Sequence, residues 1–197
     1  MQLRNRFLAA ALAGVLSGVP AANATLILSG SSATTFSGYN SQPATVTGTL
    51  SSGYFGTLGA LDAGTVTFTY LGNESGDVNR FNFAVGNQVL NESSALGTAI
   101  SGTVGSGALA FSFTDLTRGS TFANGSRAMV YVPNVTTTAF GSFRYVIGSN
   151  DNGSSDGDFD DFVVGVNFAS VPEPGALALL GLGLVGLGLS RRRSGTA

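Results

Sequence analysis

The stretch GTVTFTYLG, residues 64–72, alternates threonine with valine, phenylalanine and tyrosine. Successive side chains of a β-strand point to opposite faces, so Val66, Phe68 and Tyr70 fall on one side and Thr65, Thr67 and Thr69 on the other. The two-residue period returns in RFNFAVG (80–86), ALAFSFTDL (108–116) and SFRYVIG (142–148). It gives Phe81, Phe83 and Val85 one parity, and likewise Phe111 and Phe113. TLILS, TVTGTL, RAMVYVP and DFVVGVNF are further short β-branched or aromatic runs, separated by Gly, Ser and Asn clusters that suit turns. Residues 25–170 carry no convincing helical period. Eight such strands predict an all-β chain, an antiparallel β-sandwich of jelly-roll-like or immunoglobulin-like type.

Both ends break this pattern. MQLRNRFLAAALAGVLSGVPAANA places Arg4 and Arg6 before a short apolar run and closes on Ala22-Asn23-Ala24. A positive start, an apolar middle and a small-x-small close predict a signal peptide over 1–24, cut after Ala24 by signal peptidase. At the other end, Val171-Pro172-Glu173-Pro174 precedes an apolar Gly, Ala, Leu and Val run and then Arg191, Arg192 and Arg193. The run predicts a hydrophobic helix over about 175–190. Residues 175–189 reach roughly 22 Å as helix, short of a ~30 Å hydrocarbon core, so the segment suits temporary retention better than a permanent span. The three arginines act as a stop-transfer signal on the cytoplasmic side and leave 25–170 outside.

This tail resembles the PEP-CTERM sorting signal, with Val171, Pro172, Glu173 and Pro174 as the motif. The resemblance implies recognition by a membrane-embedded exosortase, removal of the tail and delivery to the envelope or extracellular matrix. The expected domains are therefore 1–24, 25–170 and 171–197. FTYLGNESGDVNRF (68–81) with DGDFDDFVVGV (156–166) is further similar to a group of small secreted PEP-CTERM proteins with an Asp-rich loop before the last strand. That likeness bears on fold and location and adds nothing on catalysis.

Composition narrows the chemistry. The chain has no Cys, His, Trp or Lys. Segment 25–170 holds Arg80, Arg118, Arg127 and Arg144 against ten acidic residues, a net charge of −6 that repels phosphate backbones and argues against nucleic acid. Lack of His and Cys removes the usual general base, thiol nucleophile and thiolate metal site. Lack of Lys removes Schiff-base chemistry. A carboxylate-dependent glycoside hydrolase stays open, with Glu74, Glu92 or an Asp as the pair. The expectation is no enzyme and no catalytic residues.

One polar cluster stands out, SNDNGSSDGDFDDF at 149–162, with Asp151, Asp156, Asp158, Asp160 and Asp161 within eleven residues. Crowded carboxylates repel, and Ca²⁺ relieves that by taking six to eight oxygen ligands. Asp156, Asp158, Asp160 and Asp161 are the favoured calcium ligands, Asp151 and Asn152 the second choice, and Glu74 a residue that could reach across to them. The plainer reading is a solvated loop that keeps an edge strand from pairing. Asp160 shares the parity of Phe162, Val164, Val166 and Phe168 and so should point inward.

Together these features predict a non-enzymatic exported envelope or matrix protein, calcium-stabilised. Exosortase, signal peptidase, a transient membrane contact and exopolysaccharide are its expected partners. The alternative is a carbohydrate- or surface-binding module, adhesin-like or ice-binding-like. It needs an exposed aromatic strip, for which Tyr39, Tyr54, Tyr131 and Tyr145 are the candidates.

Overall fold

The computed structural model describes residues 25–37, 50–152, 157–170 and 181–186. The chain divides into two compact units, Ala24–Val171 and a second made of Met1–Asn23 with Pro172–Ala197. In the second unit residues 181–186 are helical. Among the described residues no helix is long and apolar enough to cross a membrane. Ala22, Ala24, Val171 to Pro174, Arg191 to Arg193, Tyr39 and Asp156 lie outside the described residues, as do residues 1–24, expected as a signal peptide, and most of the helix expected over about 175–190.

Twelve strands are present among the described residues of the first unit: β1 (Leu26–Thr35), β2 (Ser52–Ala60), β3 (Gly64–Gly72), β4 (Asn79–Phe83), β5 (Gln88–Asn91), β6 (Ala99–Val104), β7 (Gly107–Ala108), β8 (Phe111–Asp115), β9 (Ser120–Ala123), β10 (Met129–Thr137), β11 (Gly141–Ser149) and β12 (Phe162–Ser170). They form two antiparallel sheets. The larger runs β1-β2-β10-β11-β12-β3-β6, with β7 added to β2, and the smaller runs β5-β4-β8-β9. Neither closes into a barrel. The sequence pattern missed β2, β5, β6, β7 and β9, which are short or carry Gly and Ser where a strand signal needs β-branched residues. TVTGTL, expected as a strand, lies outside the described residues except for Leu50.

The alternation in β3 does what the sequence implies. Val66, Phe68 and Tyr70 are buried while Thr65, Thr67 and Thr69 are half-buried. Phe68 packs on Phe81 of β4 with ring centroids 4.7 Å apart, and on Phe111 of β8 at 5.4 Å. Phe81, Phe83, Phe111, Phe113, Phe162, Val164 and Val166 belong to the same cluster, so the two sheets share one core. Burying each such ring stabilises the fold by roughly 1.5–3 kcal/mol relative to exposure. Val85 leaves the strand that Phe81 and Phe83 share. Gly86 and Asn87, with φ of 71° and 51°, turn the chain into a 3₁₀ segment at Val85–Asn87, and Val85 meets the core from there.

The larger sheet is buried on both faces at its centre. Met129 and Tyr131 of β10 join the shared core, while Val130 and Val132 join a second cluster with Phe36, Leu71, Phe143, Phe159 and Val163. That arrangement explains the nearly continuous apolar runs MVYV and FVVGV, because a strand covered on both faces has no polar side to alternate. Gly165 is required in β12, since a Cβ there would lie 2.4 Å from the Phe143 ring. Phe159 sits edge-on to Phe36 at 5.8 Å and to Phe55 at 6.0 Å, which ties the Asp-rich loop to the sheet face.

Candidate functional site: an acidic cleft closed by one arginine

Several strand ends meet at one pole of the first unit. Antiparallel pairing sets Gly72, where β3 ends, against Val163 near the start of β12, and Ser149, where β11 ends, against Phe162. In the smaller sheet it sets Asn79 against Asp115 and Arg80 against Asn91. The turn after β3, the turn after β8 and the Asp-rich loop are therefore brought together. Between them is a cleft of about 360 Å³. Glu74, Asp77, Asp151, Asp158 and Asp161 line it, with Ser75, Asn152 and Arg118.

Arg118 organises the charge. Its Nη2 lies 2.7 Å from Asp77 Oδ2, its Nη1 3.6 Å from Asp151 Oδ1 and its Nε 3.8 Å from Asp115 Oδ2. Asp115 is buried at the end of β8, and its Oδ1 accepts the N–H groups of Thr117 and Arg118 at 2.8 and 3.0 Å. The carboxylate thus shapes the turn that returns Arg118 over it. Its Oδ2 is buried and makes no hydrogen bond among the described residues, where the guanidinium is a nearby compensating charge.

Hydrogen bonds do the remaining positioning. Asp151 Oδ2 accepts from the Ser75 hydroxyl and, at 3.0 Å, from Asn79 Nδ2. Ser75 Oγ in turn accepts the Asp77 N–H at 2.9 Å. Asp161 Oδ2 accepts the Asp151 N–H at 2.7 Å, so this carboxylate fixes the loop backbone. Glu92 Oε1 accepts the Asn79 N–H at 2.7 Å. Burial raises the Glu92 pKa above its ordinary value; the bond from Asn79 opposes that, and the charges of Asp151 and Asp77 add to the rise. Burial, with Glu92 nearby, also lifts the Tyr70 phenol to about 12.

The sequence candidates are thus placed as follows. Asp158 and Asp161 line the cleft, with Asp151 and Asn152. Asp160 is buried, and so is Asp161 of the opposite parity, so burial does not separate the two faces here; Asp160 is not in the described lining. Glu74 does come to the same cleft as the Asp-rich loop. Among the described residues no group of three acidic side chains is arranged to hold a metal ion. Glu92, half of a candidate hydrolase pair, holds backbone. The aromatic strip needs correction: Tyr131 is fully buried in the shared core, where its hydroxyl donates to Asn124 Oδ1 at 2.8 Å, and burial raises its pKa. Tyr54 is exposed beside a separate groove of about 740 Å³. Sequence reasoning missed Arg118 and Asp115. The available signal was Asp-Leu-Thr-Arg, a turn-forming acid three residues before one of only four arginines in 25–170.

The other end of β12 settles the chain's destination. Residues 170–193 match the family model of the PEP-CTERM protein-sorting motif. The chain carries a PEP-CTERM sorting motif. This motif marks an exosortase-processed protein that is exported to a cell-surface or extracellular location. The PEP-CTERM match begins at Ser170, the last residue of β12, with no intervening segment. No curated protein and no solved structure matches the chain.

Two outcomes follow from the cleft. Arg118→Ala leaves Asp77, Asp115 and Asp151 without their guanidinium. Because Arg118 is 44% exposed, the expected loss is about 1–3 kcal/mol, below that for a fully buried pair, read by urea unfolding at neutral pH. For Glu92, the native state holds its proton above the ordinary value of 4.5 and the unfolded chain does not. Its contribution to stability is present below that value and lost as pH rises through the native pKa. Glu92→Gln should therefore gain on the parent in a melting series as pH rises from below 4.5 toward neutrality.

Proposed function

We propose that the chain is a non-enzymatic β-sandwich of the cell envelope or extracellular matrix, held briefly in the membrane by its C-terminal tail and then released. The observation that carries this reading is the sorting motif at 170–193, joined directly to the last strand of a folded body. A signal-like N-terminus with Ala22 and Ala24 at its expected cleavage site agrees with export. The non-enzymatic part draws support from a body without His, Cys or Lys. Its best-placed carboxylates are engaged, Asp77 and Asp151 with Arg118 and Glu92 with Asn79. Mass spectrometry of the protein from medium and from membranes of its host tests the reading. Thr25 is expected as the mature N-terminus, and the released form is expected to lack Arg191 to Arg193. Full-length chain in the cytosol, with Met1 and Ala197 retained, would overturn it.

Calcium belongs to the same proposal as a stiffener of the Asp-rich loop. Five cleft carboxylates face one guanidinium, and Asp156 and Asp160 lie beside them in sequence. An oxygen-only set of carboxylates and amides has the chemistry that Ca²⁺ accepts. Calcium titration followed by thermal melting should raise the midpoint of the parent. The rise should disappear in a double variant, Asp158→Asn with Asp160→Asn. An equal rise in both proteins would dismiss the site.

A further inference from the structure

The end of β12 is held differently from its beginning. Phe162 to Val166 pair with β11 on one side, from Ser149↔Phe162 to Tyr145↔Val166, and with β3 on the other for Val163 onward. Past Val166 the ladder to β11 stops, while Phe168↔Val66, Ala169↔Thr65 and Ser170↔Gly64 continue toward β3. At the point where β11 departs, the exposed side chain of Asn167 takes over. Its Oδ1 accepts the Arg144 N–H at 3.1 Å, and its Nδ2 donates to the Ser142 carbonyl at 3.1 Å. One amide side chain therefore makes both a donor and an acceptor bond to β11, in place of the main chain.

This end is also where the sorting motif starts, since Ser170 is both the last residue of β12 and the first of the matched segment. A protease takes hold of its substrate as extended chain on both sides of the bond it cuts, and residues already committed to a sheet ladder are not free for that. Strand ends open more readily than strand centres, so access to the junction depends on how firmly residues 167–170 are zipped.

We propose that Asn167 is a clasp on tail removal. By bridging to Arg144 and Ser142, it keeps the last residues of β12 in the sheet and slows exosortase access to Val171-Pro172-Glu173-Pro174. The inference rests on the exosortase-sorting reading and adds what regulates that step. Tail removal then waits on fraying of residues 167–170, and the membrane-held stage lasts as long as the strand end stays paired. Asn167 is a positioning residue here, acting through the strand it holds.

The test uses the full chain, pulse-labelled in exosortase-bearing cells, with tail removal followed by mass. Asn167→Ala should speed removal roughly two- to tenfold, the range expected for losing side-chain hydrogen bonds that oppose opening. A flexible insert of about eight Gly and Ser residues between Ser170 and Val171 leaves β12 intact and frees the motif from it. Removal should speed at least as much with the insert, and adding Asn167→Ala to the insert should change nothing further. An unchanged rate in Asn167→Ala overturns the clasp. So does an Asn167→Ala effect that persists undiminished alongside the insert, since that marks general loosening of the body. An unmodified chain that never loses its tail overturns the sorting reading itself and shows a different signature from either.

Discussion

The position of β12 is the constraint on which the rest of the molecule depends. It lies between β11 and β3, so without it the larger sheet falls into two pieces, β1-β2-β10-β11 and β3-β6. Its side chains serve both faces: Phe162, Val164 and Val166 enter the core shared with the smaller sheet, and Val163 enters the cluster on the far side. Gly165 leaves room for the Phe143 ring against the strand where a side chain would collide. The strand that completes the body is thus the last one made, and the sorting motif follows it directly.

Its two ends have opposite characters for physical reasons. At the start, the chain arrives from the Asp-rich loop, where carboxylates crowd together at the pole shared with the turns after β3 and β8. Repulsion there is met by Arg118, by donors from Ser75 and Asn79, and by the Asp151 N–H that occupies Asp161. The loop is also pinned from below by Phe159 packing on Phe36 and Phe55. It is therefore neither a freely solvated edge guard nor, among the described residues, a preassembled metal cage. At the far end, pairing becomes one-sided and a single amide side chain compensates for the missing ladder.

Much of this was legible in the sequence, because it rests on local patterns. The two-residue period of GTVTFTYLG placed Val66, Phe68 and Tyr70 inward, and Phe162, Val164 and Val166, which share one parity, enter the same core cluster. The motif at 170–193 could be read because order and position in a linear segment are its content. Strands such as β2 and β6 were not legible, since Gly and Ser give little strand signal and neighbouring strands supply the stability. Tyr131 misled for a related reason: a tyrosine in an apolar run reads as equally fit for surface or core until the facing layer is known.

The sequence by itself determined that the body is antiparallel β, that its charge is acidic and concentrated before the last strand, and that the tail is an address. Periodicity, net charge and segment order are properties of the chain, so no folding is needed to read them. Only the tertiary structure decided that Arg118, thirty-three residues before Asp151, is the guanidinium that holds the acidic pole together, and that Asn167 ties β12 to β11. Those contacts are set by which strands become neighbours in space. Strand order follows from burying many weak apolar faces at once, and no single stretch of sequence carries that information.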